Sequence, residues 1–194
     1  MGRRCALLQG SVATVPEVQA LHAAAVEALG VPDILVNNAG IFPRCDFLAM
    51  EEAEWDAVLD INVKAGAFLT QAFARALAGR PGAVVNLSSS AVRGDPRGVH
   101  YTTSKNGVVG LTRATALALA PAIRVNAIAP GLTDTAQPRF GMTEEEIAAR
   151  SATFPVGRIG RPEEIADLAV FLAGPKAGFI TGQVYHINGG MYLA

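Results

Sequence analysis

Short apolar runs, each closed by a polar or glycine-bearing turn, alternate along this chain with longer segments whose apolar residues recur every three to four positions. The runs are Cys5–Leu8 before Gln9-Gly10-Ser11, Asp33–Val36 before Asn37-Asn38-Ala39-Gly40, Gly82–Leu87, Arg124–Ala129 and Gly182–Ile187. Each has the length and near-continuous hydrophobicity of a strand buried on both faces. Between them, Pro16–Leu29 places Val18, Leu21, Ala25, Val26 and Leu29 at helical spacing, with Thr14 to cap the helix and Gly30 to end it. Helical periodicity returns over Glu51–Leu77, Val99–Ala120 and Pro162–Leu172, the last opening on Pro162-Glu163-Glu164, which suits a helix N-terminus. Strand and helix in strict alternation predict an α/β domain with a mostly parallel sheet and helices on both faces.

No repeat, linker or low-complexity tract divides the 194 residues, and 51% hydrophobic content is enough for one core, so residues 1–194 are expected to form a single domain. The polar stretch Thr133–Pro155 is long for a connection and is expected to be a lid carrying a short helix over Thr143–Arg150. Its Glu144-Glu145-Glu146 fits a solvated first helical turn better than a catalytic carboxylate pair. A net charge of −1 gives no basic footprint for nucleic acid or an anionic membrane. Val108–Ile123 is apolar but contains Arg113 and Pro121 and falls short of the ~20 residues a bilayer needs. Arg3-Arg4 lead into only Cys5–Leu8, less than a secretory core, and the two cysteines form no disulfide framework, so a cytoplasmic location is expected. His22, His100 and His186 share no ligand spacing, and no metal is expected.

Tyr101 and Lys105 lie four positions apart near the start of a helix, one turn apart on one face. An ammonium there would lower the phenol pKa from about 10 and let it exchange a proton with an alcohol or carbonyl oxygen. Ser88-Ser89-Ser90 follows a strand at the carboxyl edge, where open α/β sheets bind ligands, so a hydroxyl could meet the same oxygen. Arg93, Arg97 and Arg139 fall on loops near that edge, where they either favour an anionic substrate or are simply solvated.

Taken in order, Asn37-Asn38-Ala39-Gly40, Asn62, Asn86-Leu87-Ser88-Ser89, Tyr101-x-x-x-Lys105, Asn126–Gly131, Ile180-Thr181-Gly182-Gln183 and Asn188-Gly189-Gly190 resemble the short-chain dehydrogenase/reductase family from Leu7 to Gly190. The resemblance implies a Rossmann-like, doubly wound sheet, an NAD or NADP cofactor, and hydride transfer between a secondary alcohol and a ketone. It implies Tyr101 as acid/base, Lys105 as its partner and a ribose ligand, Asn62 as holder of a linking water, and a serine that orients substrate. Position along the strand favours Ser89 for that serine, whereas the usual spacing back from Tyr101 favours Ser88; strand alternation is the firmer guide and selects Ser89. Cofactor contacts implied are Ser11, Val12, Asn38, Ala39, Gly40, Tyr101, Lys105, Pro130, Gly131, Thr133 and Thr135. A homodimer or homotetramer is implied through the helices Glu51–Leu77 and Val99–Ala120.

Two departures accompany the resemblance. No glycine-rich turn precedes Ser11, and Ser11-Val12 stands where the family usually has Asp-Val. The chain is therefore expected to be N-terminally truncated, without the strand, turn and helix N-terminus that hold the pyrophosphate, and with apolar sheet surface left exposed. The alternative to an active oxidoreductase is an impaired relative that serves as a subunit-interaction module.

Overall fold

A computed structural model describes residues 4–193. Four strands, β1 (Ile34–Asn37), β2 (Gly82–Leu87), β3 (Ile123–Pro130) and β4 (Val184–Ile187), form one parallel sheet in the order β1-β2-β3-β4. The helices are α1 (Val15–Leu29), α2 (Glu52–Leu59), α3 (Ala65–Leu77), α4 (Val99–Ala118), α5 (Ala136–Arg139), α6 (Glu144–Ser151) and α7 (Pro162–Ala173). Parallel neighbours require crossovers, and the helices supply them.

Strand alternation divides the core in two. Val84 and Val125 face α3 and α4, where they pack with Phe73, Leu77 and Ala116. Val85 and Ile128 point the other way, against Leu172 of α7. Buried on both faces, β2 has no polar side to show, which is why it reads as an apolar run rather than an alternating one. Full burial of such side chains is worth about 1.5–3 kcal/mol each.

Local signals act where the sequence places them. Thr14 caps α1 in a reciprocal box, its backbone N–H donating to Glu17 at 2.9 Å, and Gly30 ends the helix at φ 85°. Thr143 and Glu146 form the same box at the start of α6. Arg158 pairs with Glu164 at 2.7 Å at the mouth of α7 and holds that carboxyl down to about 2.

Three expectations need correction. Cys5–Leu8 is not a buried strand: it is irregular, with Leu7 95% exposed, because no described strand lies beside it to complete a ladder. Glu51–Leu77 is not one continuous helix but α2 and α3 joined by a π turn over Asp60–Lys64, where the Ala65 N–H reaches back to Asp60 O. The widened turn carries Asn62 into the interior, a displacement that apolar periodicity does not register. The stretch Thr133–Pro155 contains α5 in addition to the expected helix. The edge strand β1 turns Ile34 and Val36 outward, each about half exposed. Among the described residues no helix is long and apolar enough to cross a membrane, and no cluster of metal-ligating side chains occurs.

Candidate active site

All four strands end at one edge of the sheet, so the loops after β1, β2 and β3 converge there. They line a cleft of about 890 Å³ closed on one side by α5, α6 and the start of α7. A ladder of buried amides and hydroxyls braces its floor. Asn37 Nδ2 donates to Asn86 Oδ1 at 2.8 Å and lies 3.1 Å from Thr70 Oγ1, and Asn86 Nδ2 donates to Thr112 Oγ1 at 2.9 Å. The ladder ties β1 and β2 to α3 and α4 and satisfies both ends of the Asn86 amide, while Asn37 Oδ1 is buried without a partner among the described residues.

Tyr101 and Lys105, both buried on the first turns of α4, point into this cleft as their spacing predicts. Lys105 Nζ donates to Leu87 O at 2.8 Å and lies 5.5 Å from the centre of the Tyr101 ring. The two candidate serines separate. Ser88 is buried and donates to Lys105 O at 2.9 Å, whereas Ser89, which caps the following 3-10 turn by accepting the Ala91 N–H at 3.1 Å, lies against the Tyr101 phenol. Asn62 is buried in the π turn and is bound on both ends of its amide: Oδ1 accepts from Ile41 N at 2.8 Å, and Nδ2 donates to Ile41 O and Ser104 Oγ at 3.0 Å. It therefore clamps the loop after β1 against α4.

Electrostatics correct one expectation. The Tyr101 phenol is pushed above its ordinary value, first by burial, with Ser89 and Gln137 pulling against the rise and Asp95 adding to it. Burial brings the Lys105 ammonium down to about 8. Desolvation disfavours the charged form of both groups, and the groups that pull the phenol down are Ser89 and Gln137 rather than the lysine. At neutral pH the phenol holds its proton.

Of the expected cofactor contacts, Asn38, Gly40, Pro130, Gly131, Thr133 and Thr135 line the cleft alongside Tyr101 and Lys105, whereas Ser11, Val12 and Ala39 do not. Three neighbours escaped the sequence. Phe42 stacks on Tyr101, Gln137 of α5 reaches the phenol, and His100 is fully buried with Nδ1 accepting the Tyr101 N–H at 2.8 Å and Nε2 3.6 Å from Cys45 Sγ. Only the adjacency of His100 to Tyr101 hinted at any of them.

A family model described as enoyl-(acyl carrier protein) reductase matches residues 1–192. The 3-oxoacyl-(acyl-carrier-protein) reductase FabG of Staphylococcus aureus is 41% identical over 193 residues, covering 96% of this chain and 76% of its own. A solved short-chain dehydrogenase/reductase from Brucella melitensis, of the glucose/ribitol dehydrogenase type, superposes with a TM-score of 0.87 at 32% identity, covering 97% of this chain and 76% of its own. The chain belongs to the short-chain dehydrogenase/reductase family. Another of these reductases, NovJ of Streptomyces niveus, is 40% identical over 187 residues, covering 92% of this chain and 71% of its own. Short-chain dehydrogenases/reductases are oxidoreductases that generally use nicotinamide dinucleotides, and two glycines keep the cleft open. At Gly40 an added Cβ would stand 3.2 Å from Asn62 Oδ1 and 3.5 Å from Lys105 Nζ, so only a bare backbone leaves that space open beside the lysine. Gly131 is equally bound to be bare, since a Cβ there would come within 2.7 Å of Asn188 Cα.

Proposed function

We propose that the protein interconverts a ketone and a secondary alcohol with NAD or NADP, Tyr101 moving the proton. The observation that carries this reading is the meeting of Ser89, Gln137 and Lys105 around one buried phenol at the carboxyl edge of the sheet. When bound, the nicotinamide supplies or accepts the hydride. Asn38, Gly40, Pro130, Gly131, Thr133 and Thr135 are assigned to hold that half of the cofactor, and Lys105 to its ribose. Ser89 and Tyr101 offer two O–H donors at one point, which suits the two lone pairs of a carbonyl oxygen. The carbonyl chemistry named for the FabG relative supports this reading.

In the reducing direction Tyr101 gives its proton to the oxygen as negative charge develops there, while Ser89 holds that oxygen in line. A phenol raised by burial is loaded for this step at neutral pH, and oxidation of the alcohol requires higher pH. Asn62 is assigned to keep the loop carrying Ile41 and Phe42 in register with α4. Tyr101→Phe keeps the ring and deletes the proton; it is expected to lower turnover at least 100-fold with little change in folding. Activity within a few fold of the parent would overturn the assignment.

A further inference from the structure

Three arginines that the proton chemistry does not use stand at the same cleft. Arg44 comes from the loop after β1, Arg93 from the 3-10 turn after β2 and Arg150 from α6. With Lys105 they make four cations, and Asp95 is the one acid among the described residues lining the cleft. Asp95 is turned to its own loop, accepting the Arg97 N–H at 3.0 Å. A chain with net charge −1 thus concentrates positive charge in one concavity, where low-dielectric walls strengthen the field.

These arginines differ from the structural ones. Arg139, which does not line the cleft, is ion-paired to Asp134 and Glu144, and Arg158 to Glu164. Among the described residues, no carboxylate lies within ion-pairing distance of Arg44, Arg93 or Arg150. Two of them are nevertheless held in place. Arg44 Nη1 donates to Gly141 O at 2.7 Å, and its Cζ lies 5.4 Å from the centre of the Phe42 ring. Arg93 Cζ lies 4.6 Å from the Tyr192 ring centre, with Nη1 3.3 Å from Leu193 O. Each keeps further N–H donors uncommitted. A cation fixed by an aromatic face and a carbonyl, with no counter-charge among the described residues, is preorganised for an incoming oxyanion. Phe42 links this charge to the chemistry, since it carries Arg44 on one side and stacks on Tyr101 at 4.0 Å.

We propose that Arg44, Arg93 and Arg150 bind an oxyanion, a carboxylate or phosphate, carried on the substrate at a distance from its reacting carbonyl. The preferred substrates are then anionic ketones and hydroxy compounds rather than neutral ones. This rests on the oxidoreductase reading and deepens it. The dinucleotide's own phosphates are the other source of the same chemistry, and the test separates the two.

The probes are 7-oxooctanoate and its methyl ester, which share a ketone and differ in charge, with NADH and NADPH titrated separately. Dissociation constants are measured by calorimetry on the parent and on R44Q/R93Q/R150Q, with circular dichroism to verify folding. The acid is expected to bind at least tenfold tighter than the ester, with that advantage shrinking as salt is raised and falling at least tenfold in the triple variant. Salt dependence on the parent alone keeps the test valid should the variant not fold. Equal affinity for acid and ester, or equal losses of both in the variant, would overturn the proposal. So would a variant that loses NADPH affinity while keeping its preference for the acid, which would assign the arginines to the cofactor. Turnover is read in parallel. A clear acid preference without turnover of either probe by either nucleotide would count against the oxidoreductase reading and leave the anion site standing.

Discussion

The rings of Phe42 and Tyr101 lie 4.0 Å apart and within 20° of parallel. Phe42 also fills the space above Gly98, where a Cβ would come within 2.5 Å of its ring, so it seats the phenol against the start of α4. A stacked pair is worth about 0.5–1.5 kcal/mol beyond burial, enough to lower the productive population of Tyr101 by up to about tenfold. Phe42→Ala is expected to reduce kcat by about that factor and Phe42→Tyr to retain most of it, as steady-state kinetics on both will check.

Ser88 and Ser89 are expected to fail in different ways. Ser89→Ala removes a donor from the reacting oxygen and should lower kcat about 100-fold or more. Ser88→Ala removes a buried hydrogen bond to Lys105 O and should cost about 1 kcal/mol of stability with a small effect on kcat. Urea unfolding and kinetics on both variants separate the roles, and a reversed pattern would reassign the catalytic serine to Ser88.

Lys105 is expected to destabilise the fold it serves. Its folded pKa of about 8 lies below the ordinary 10.5, so between these values the unfolded chain binds more protons and stability rises with pH. At neutral pH the buried charge therefore costs up to about 3 kcal/mol. Lys105→Met should be more stable than the parent by about 2 kcal/mol at pH 7, after loss of the bond to Leu87 O, and should lose that advantage above pH 10.5. Urea titrations of both proteins across that range give the sign directly.

Residues 1–194 by themselves are expected to hold the nicotinamide half of a dinucleotide and little of the rest. The proposed contacts lie at Asn38, Gly40, Pro130 and Gly131, and Ser11 and Val12 stand outside the cleft. Pyrophosphate affinity in such folds comes from backbone N–H donors at a helix N-terminus, each charge-assisted bond being worth about 1.5–3 kcal/mol. Reduced nicotinamide mononucleotide and NADH should then bind within a few fold of one another. Calorimetry showing NADH at least 100-fold tighter would place a phosphate site within this chain.

The order of β1 to β4, the capping of α1, the short helix α6 and the Tyr101–Lys105 pair were legible in the sequence, because each depends on residues within a few positions of one another. Tertiary structure alone decided the rest. An apolar run such as Cys5–Leu8 becomes a strand only when a neighbour completes its hydrogen bonds, and its own residues carry no sign of that neighbour. The π turn at Asp60–Lys64 answers to Ile41 and Ser104, with which Asn62 must pair once buried. The stacking of Phe42, the reach of Gln137, the placing of Arg44, Arg93 and Arg150 around one cleft, and the raised phenol of Tyr101 all arise from segments far apart in the chain. Desolvation and long-range packing depend on what surrounds a group in space, and only the folded chain supplies those surroundings.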